Sequence, residues 1–241
     1  MATATTPLVE LLRSRYSVRK FLPAPMSASD IQGVLEDAQT SPSNSNTQPW
    51  AVHIASGAAR DAISEGMLTA YGEDRTSADF TSGYGDGLYA ERAQRHGATV
   101  YEVWGVARSD TEGRDEVVRD NLRFYGAPHA AFLFMPVLGD GVRTAGDIGM
   151  YAQTFLLSLT ARGFHGIPQT VLGMYADVVR EVLGVPEDLK LLFGISFGTA
   201  DPAAKINDLR MHRLPVEQSA TVHEMPATGS SLTADRECGK P

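Results

Sequence analysis

The chain reads Arg15-Tyr16-Ser17-Val18-Arg19-Lys20-Phe21 near its N-terminus. If this stretch is extended, the side chains of residues 15, 17 and 19 point to the same side. Two guanidinium groups and a hydroxyl on one side form a pocket for a phosphate or for the electron-rich edge of a ring, because a planar guanidinium donates two parallel hydrogen bonds. A solvated basic turn after a helix explains the same residues equally well, so this stretch alone leaves both interpretations open.

A second polar stretch follows about twenty residues later and reads Ser41-Pro42-Ser43-Asn44-Ser45-Asn46-Thr47-Gln48-Pro49-Trp50. Its side chains offer many neutral donors and acceptors and no charge, which suits the polar edge of a heterocycle. Taken alone, it is more typical of a turn rich in Ser and Asn. A third stretch, residues 207–215, places Arg210 and Arg213 three residues apart after the last predicted strand. These two arginines could complete a phosphate site, although solvated surface arginines are the simpler interpretation.

The apolar spacing predicts a chain of mixed α and β structure with few strands and several long helices. Capping boxes begin two of the helices, at Ser27–Asp30 and at Thr144–Asp147. A short helix begins near Pro7, and the segment 164–170 is expected to be a loop. The further helices are predicted over 31–38, 58–70, 88–107, 113–125, 144–163 and 175–184, and the strands over 50–54, 130–138 and 191–197.

Composition excludes several classes of function. The 241 residues carry 21 Lys plus Arg and 29 Asp plus Glu, a net charge of −8, so the chain lacks the basic surface of a nucleic-acid-binding or membrane-surface protein. Its one cysteine, Cys238, cannot form an internal disulfide, a zinc site or an iron–sulfur cluster. No leader pattern and no membrane-spanning apolar run is present, so we expect a cytoplasmic protein.

Signatures of side-chain chemistry are missing from the sequence. It contains no GxSxG, HExxH or Walker A motif, and none of its six histidines is paired at metal-ligand spacing. We therefore expect no metal site and name no catalytic residue. Such a chain is a binding module or takes its chemistry from a bound cofactor.

The motifs in their order resemble the FMN-dependent nitroreductase family. They are R-x-S-x-R-x-F, S-P-S-x-x-N-x-Q-P-W, then Tyr125-Gly126-Ala127-Pro128, Gly166-Ile167-Pro168-Gln169, and Asn207 followed by R-x-x-R-x-P. The resemblance covers residues 8–220 and is nearest to the nitrobenzoate-reductase-like branch. It implies an α+β fold with a central, mainly antiparallel sheet surrounded by helices, and an intertwined homodimer. We expect one FMN-binding domain over 1–220, with a lid at about 71–112 and a polar tail over 221–241.

The resemblance also assigns the residues around the flavin. Arg15 and Ser17 match contacts to the phosphate and ribityl chain, and Arg19 matches a cation at the N1/O2 edge. Arg213 matches a phosphate-binding arginine, although Met211 stands where many members have a basic residue. Asn121 matches a contact to the pyrimidine ring, and a one-residue gap would shift that role to Asp120 or Arg123.

Two further groups complete this assignment. Pro168 and Gln169 match the stretch near N5 and O4, although Gln169-Thr170-Val171 departs from the Glu-Gly pair of many members. Ser43, Asn44 and Asn46 match a loop that covers the flavin from the opposite subunit. Aromatic residues of the lid are candidates to stack on a substrate: Tyr71, Phe80, Tyr84, Tyr89, Tyr101 and Trp104.

The function implied is an NAD(P)H-dependent FMN oxidoreductase. Hydride passes through flavin N5 to a nitroaromatic, quinone or related small molecule in ping-pong kinetics. Alternatives on the same scaffold are an ene-reductase, a reductive dehalogenase or a dehydrogenase. Two further alternatives are a flavin-binding protein without turnover and an anion-binding domain without flavin.

Overall fold

The computed structural model describes residues 7–223. Cys238, Thr6 and most of the polar tail expected over 221–241 lie outside the described residues. The chain divides after Arg210 into a large compact unit and a short C-terminal unit that begins at Met211. The domain boundary expected near residue 220 stays a prediction.

The described residues contain seven α-helices and four strands, besides short 3-10 turns and loops. The helices are α1 (Leu8–Ser14), α2 (Ala28–Gln39), α3 (Gly57–Gly72), α4 (Leu88–Trp104), α5 (Thr111–Leu122), α6 (Val142–Ala161) and α7 (Ala176–Leu183). The strands are β1 (Ala51–Ser56), β2 (His129–Pro136), β3 (His165–Gln169) and β4 (Leu189–Gly198). None of these helices is both long enough and apolar enough to span a membrane.

The four strands form one sheet in the order β1-β2-β4-β3, and every neighbouring pair is antiparallel. Side chains of successive strand residues alternate between its two faces. Phe132 and Phe134 of β2 pack into the core cluster that also holds side chains of α3, α5 and α7. Ala131 and Leu133 pack into the cluster under α2 and α6. The α+β fold with a central antiparallel sheet is therefore confirmed.

Two local predictions at helix starts had opposite outcomes. Ser27 caps α2 as predicted, with its Oγ accepting a hydrogen bond from the Asp30 amide at 3.0 Å. The capping box predicted at Thr144–Asp147 is wrong, because α6 already begins at Val142 behind Gly141. Thr144 and Asp147 are buried inside the helix, where Asp147 has a different partner, described below.

The loop predicted over 164–170 is also wrong, since residues His165–Gln169 form the edge strand β3. Gly166 and Pro168 hid this strand, because both residue types are rare in strand interiors. β3 pairs with β4 on one side only, and an edge strand tolerates a proline. On its other side Gly166 forms an isolated parallel bridge with Ser17.

The backbone at Gly173, which follows β3, lies close to β4. A Cβ atom at this residue would lie 2.6 Å from the Leu192 carbonyl oxygen and 2.9 Å from Cε1 of Phe80. We predict that Gly173→Ala lowers the free energy of unfolding by about 1–3 kcal/mol, because the backbone must move to admit the methyl group. Urea unfolding measures this effect. Gly72→Ala is the control, since no atom lies within 4 Å of its added Cβ, and equal stability of both variants would contradict the prediction.

His129 ties three segments together in its neutral form. Its Nε2 accepts a hydrogen bond from the Met26 amide at 2.9 Å, so Nδ1 carries the proton and faces Ser56 Oγ at 2.5 Å. Burial lowers the pKa of His129 below its usual range, and the charge of Arg60 lowers it further. Protonation would remove the acceptor that holds Met26.

This pKa shift predicts a pH dependence of stability. Below about pH 6.5, His129 is protonated in the unfolded chain and stays neutral in the folded one. The free energy of unfolding therefore falls as the pH drops. One such histidine contributes up to about 1.4 kcal/mol per pH unit in that range. Urea unfolding between pH 7.5 and 5.5 should show a smaller loss for His129→Gln than for the parent chain. An identical loss in both proteins would show that His129 does not cause it.

Candidate functional site

The segment 15–21 is extended and lies beside the edge strand β3. Ser17 bridges Gly166 of β3, and Phe21 forms an antiparallel bridge with Ala200. Val18 and Phe21 are buried in the core cluster and fix the segment to the sheet. The predicted site residues Arg15, Ser17 and Arg19 therefore lie on an extended strand-like segment, not on a solvated turn.

Asn207 holds this segment from the C-terminal side of the large unit. Its Oδ1 accepts a hydrogen bond from the Arg19 amide at 2.8 Å. Its Nδ2 donates to the carbonyl oxygens of Lys20 at 2.8 Å and Asp201 at 3.0 Å. This side chain is buried and forms three hydrogen bonds with backbone groups. Its role is therefore to position Arg19.

Arg19 is a buried cation without a carboxylate partner among residues 7–223. The residue is 7% exposed, and its Nη1 donates a 3.4 Å hydrogen bond to the Ser17 carbonyl oxygen. The phenol of Tyr125 interacts with the guanidinium, which raises the pKa of Arg19 and lowers that of Tyr125 against the larger effect of burial. Burial lowers the pKa of Arg19 and raises the pKa of Tyr125 to about 12, so the partner stays a neutral phenol. An uncompensated buried charge is costly, and this one fits an anionic ligand.

Tyr125 reaches Arg19 from an unusual backbone turn. Phe124, Tyr125 and Gly126 all have positive φ angles, of 60°, 54° and 77°. The first two are strained, since bulky residues avoid this region. The Tyr125 carbonyl oxygen accepts a 3.1 Å hydrogen bond from the Phe21 amide. Such strain is typical of places where function dictates the backbone.

The structure brings Asn121 and Gln169 together. Gln169 is buried, and its Nε2 donates to the carbonyl oxygen of Asn121 at 3.0 Å and to Asn121 Oδ1 at 2.5 Å. Its Oε1 accepts a hydrogen bond from Ser196. The side-chain amide of Gln169 is therefore fully engaged by Asn121 and Ser196. Asn121 keeps its own NH₂ group, and neighbouring Pro168 is exposed.

The two alternatives to Asn121 are engaged elsewhere. Arg123 forms ion pairs with Asp120 at 3.2 Å and with Glu116 at 2.5 Å. Neither shares the hydrogen-bond network of Gln169. The assignment of a ligand contact to Asn121 stays a prediction, and this network favours Asn121 over both neighbours.

The loop 41–50 lies on the other face of the sheet, against α2 and α6. Ser43 Oγ accepts the Gln48 amide at 2.9 Å, and the Trp50 ring stacks on Tyr151 with centroids 5.0 Å apart. The side chains of Asn44 and Asn46 are exposed. Ser45, Asn46 and Gln48 have positive φ angles of 51°, 55° and 46°.

Asp147 of α6 holds this strained loop. Its two carboxylate oxygens accept a hydrogen bond from the Asn44 amide at 3.1 and 3.2 Å, and the residue is 5% exposed. Sequence reasoning missed Asp147 as a site residue, because its spacing from Thr144 imitates a capping box. Only the packing of α6 against the loop shows which backbone amide it accepts.

The predicted site residues thus form two groups within one chain. Arg15, Ser17 and Arg19 lie on the segment that packs with the α3, α5 and α7 face. Ser43, Asn44 and Asn46 lie on the loop that packs on the α2 and α6 face. Among the described residues of a single chain, no hydrogen bond joins Ser17 or Arg19 to the group on the loop.

The C-terminal arginines differ in what the structure shows. Arg210 stacks on the ring of Tyr16 at 3.4 Å and donates to the Asn207 carbonyl oxygen at 2.7 Å. It therefore lies beside the segment 15–17. Arg213 belongs to the separate C-terminal unit, where it is exposed and donates to the Met211 carbonyl oxygen at 3.2 Å. Its phosphate-binding role stays a prediction.

The predicted lid is fixed at its beginning and open further along. Asp79 forms an ion pair with Arg180 and accepts the Leu191 amide at 2.8 Å, and Tyr71 donates to Asp115 at 2.7 Å. Phe80 lies against Gly173, and Trp104 packs against the core. Tyr84 and Tyr89 are 68% and 67% exposed. A stacking role for any of these aromatics, and the lid itself, stay predictions.

Comparison with known proteins decides the family. A sequence model described as the Nitroreductase family matches residues 12–199. The chain belongs to the nitroreductase family. This nitroreductase is 44% identical over 211 residues to the nitroreductase NfnB of Mycolicibacterium smegmatis, covering 87% of this chain and 89% of NfnB.

Two further comparisons agree with this assignment. The crystal structure described as FMN-dependent nitroreductase NfnB from Mycobacterium smegmatis in complex with NADPH matches at 42% identity with a TM-score of 0.85, covering 90% of this nitroreductase and 97% of that chain. The 4-nitrobenzoate reductase of Pseudomonas putida is 32% identical over 218 residues, which cover 88% of this chain and 94% of that protein.

We predict that Asp147→Ala loosens the loop 41–50 of this nitroreductase. Hydrogen exchange of the amides over 43–48 should become about tenfold faster or more, the effect of losing one hydrogen bond to a charged group. Mass spectrometry of peptides from the loop measures it. Asp147→Asn keeps an acceptor oxygen and should restore most of the protection. Unchanged exchange in Asp147→Ala would show that another contact holds the loop.

Proposed function

We propose that this nitroreductase binds FMN and is an NAD(P)H-dependent oxidoreductase of nitroaromatic, quinone or related acceptors. The buried guanidinium of Arg19, which has no carboxylate partner in the described structure, carries this proposal. When bound, FMN supplies the site that accepts hydride from the nicotinamide and gives it to the acceptor.

The residues beside β3 fit such a cofactor. Arg19 would hold the N1/O2 edge of the flavin ring, where a fixed positive charge stabilises the anion of the reduced state. Arg15 and Ser17 would hold the phosphate and ribityl chain, and Arg210 is placed to add a further cation there. Pro168 and Gln169 would lie near N5 and O4, and the free NH₂ of Asn121 would face the pyrimidine ring.

A homodimer completes the proposed site. Ser43, Asn44 and Asn46 lie on the opposite face of the sheet from Arg19, so they would reach the flavin of a second copy. Apolar side chains are exposed where such a copy would pack. Leu8 and Val9 of α1 are 64% and 57% exposed, and Met150 of α6 is 40% exposed. Exposed apolar surface of this kind is typical of interfaces.

The relatives support this class of reaction. The comparison structure of NfnB is described as FMN-dependent and in complex with NADPH, and another relative is named a 4-nitrobenzoate reductase. The proposal therefore includes a small aromatic or quinone-like acceptor and a nicotinamide reductant. The cytoplasm as its compartment remains our expectation from the sequence.

The absorption spectrum of the purified protein tests the proposal. Flavin bands that bleach when NADPH or NADH is added without oxygen would support the reductase, and addition of a nitroaromatic should restore them. Flavin bands that do not bleach would favour a dehydrogenase or a flavin-binding protein without turnover. A protein that takes up no FMN would overturn the proposal.

Replacing Arg19 tests the assignment of the cofactor to this segment. We predict that Arg19→Gln weakens FMN binding about tenfold or more, since a hydrogen bond to a charged group contributes about 1.5–3 kcal/mol. The midpoint potential of bound FMN should fall by about 30 mV or more, because the reduced anion loses its counter-charge.

Equilibrium binding and a spectroscopic redox titration measure these two quantities. Arg19→Lys keeps the charge and should retain most of the potential. Lys20→Gln removes an exposed charge next to Arg19 and serves as the control. FMN affinity and potential equal to those of the parent protein would place the flavin elsewhere.

A further inference from the structure

A cavity of about 1100 Å³ lies outside the residues assigned to FMN. Its walls are α4, the turn over 105–108 that follows it, and the first turn of α5. Three arginines line it, namely Arg95, Arg108 and Arg114. This concentration of positive side chains is unexpected in a chain of net charge −8.

The three guanidinium groups form no ion pair with any carboxylate of residues 7–223. Glu91 and Glu102 also line the cavity without pairing with them, which leaves one net positive charge on its walls. The arginines further along α5 and at its C-terminal cap behave differently. Arg119 pairs with Asp115 at 2.6 Å, and Arg123 pairs with Glu116 and Asp120. The free charge on this helix is therefore confined to the end that faces the cavity.

Arg114 is held in place by an aromatic ring. Its guanidinium carbon lies 4.1 Å from the centre of the Tyr101 ring, and Tyr101 also lines the cavity. Stacking uses the flat face of the guanidinium and leaves the donors on its edge available for two parallel hydrogen bonds. Such an edge recognises phosphate and carboxylate groups.

One end of the cavity lies near the segment that carries Arg19. Helix α4, which holds Tyr101, packs against residues Lys205–Asp208, and Trp104 at the end of α4 lines a pocket together with Lys20, the neighbour of Arg19. The wall that α4 gives to the cavity is therefore close to the proposed flavin position. A volume of about 1100 Å³ is at the upper end of small-molecule sites, so it can take more than a single aromatic ring.

We propose that this cavity is an oxyanion subsite, in which Arg114 and Arg108 bind a phosphate or carboxylate group carried by the molecule that reacts at the flavin. This inference rests on the proposed function and deepens it. Two molecules could carry the oxyanion, namely the reductant through the 2′-phosphate of NADPH, and an aromatic acceptor through a ring carboxylate.

Steady-state kinetics on the FMN-loaded protein distinguishes the two sources. If the oxyanion is the 2′-phosphate, Arg114→Gln should lower kcat/KM for NADPH about tenfold or more and leave kcat/KM for NADH within twofold, as expected for one charge-assisted hydrogen bond. If the oxyanion is a carboxylate, Arg114→Gln should lower kcat/KM for 4-nitrobenzoate and not for nitrobenzene. Arg108→Gln should act in the same direction as Arg114→Gln.

Arg92→Gln is the matched control. Arg92 lies on α4, outside the cavity lining, so this variant removes the same charge from the same element without changing the subsite. It should leave unchanged both ratios of kcat/KM, namely NADPH to NADH and 4-nitrobenzoate to nitrobenzene. Equal losses in Arg92→Gln and Arg114→Gln would overturn the proposal, because they would indicate a general effect of net charge.

A direct binding measurement separates the subsite from catalysis. Calorimetry with adenosine 2′,5′-bisphosphate and with 4-nitrobenzoate needs no turnover and works on protein with or without FMN. Weaker binding of either probe to Arg114→Gln than to Arg92→Gln would support the subsite even if NAD(P)H oxidation failed. The same affinity of both variants for both probes, together with unchanged selectivity ratios, would overturn it.

Discussion

The arrangement of the candidate site depends on one buried cation. Arg19 lies in the interior, where it interacts with the phenol of Tyr125 and donates to the Ser17 carbonyl oxygen, and neither group balances its charge. A buried charge of this kind is costly, so the surrounding structure must hold it in place. Asn207 fixes the backbone of Arg19, and the left-handed turn at Phe124 and Tyr125 brings the phenol to its head group. These supports lie far apart in the chain, so the completed fold is needed to create them.

The two faces of the sheet divide the rest of the site. Each face has its own helices and its own apolar cluster, and each carries one of the polar segments that the sequence singled out. The segment 15–21 and the loop 41–50 therefore lie on different faces of one chain. In the homodimer that we propose, the loop of one copy would meet the flavin of the other. The strained loop with its two exposed asparagines suits that role.

The arginines of the larger unit differ in the partners of their side chains. Most arginines of the larger unit that have an ionic partner lie on the outside of helices, as Arg119 and Arg162 do. Three arginines without an ion pair among residues 7–223 lie beside aromatic rings instead. Arg19 is buried beside Tyr125, Arg210 stacks on Tyr16, and Arg114 stacks on Tyr101. Aromatic neighbours hold a guanidinium in place without neutralising it, which keeps its charge available to an anion.

The sequence by itself determined the amphipathic helices, three of the four strands, the N-cap at Ser27 and the motifs that resemble one family, because these depend on local spacing and residue type. It missed β3, since Gly166 and Pro168 suppress the strand pattern, and it misread Asp147 as part of a cap. Only the tertiary structure decided that Asn207 holds Arg19, that Asn121 meets Gln169, and that the two polar stretches lie on opposite faces. The physical reason is that a buried polar group is defined by its partners, and those partners come from residues as far as 188 positions away.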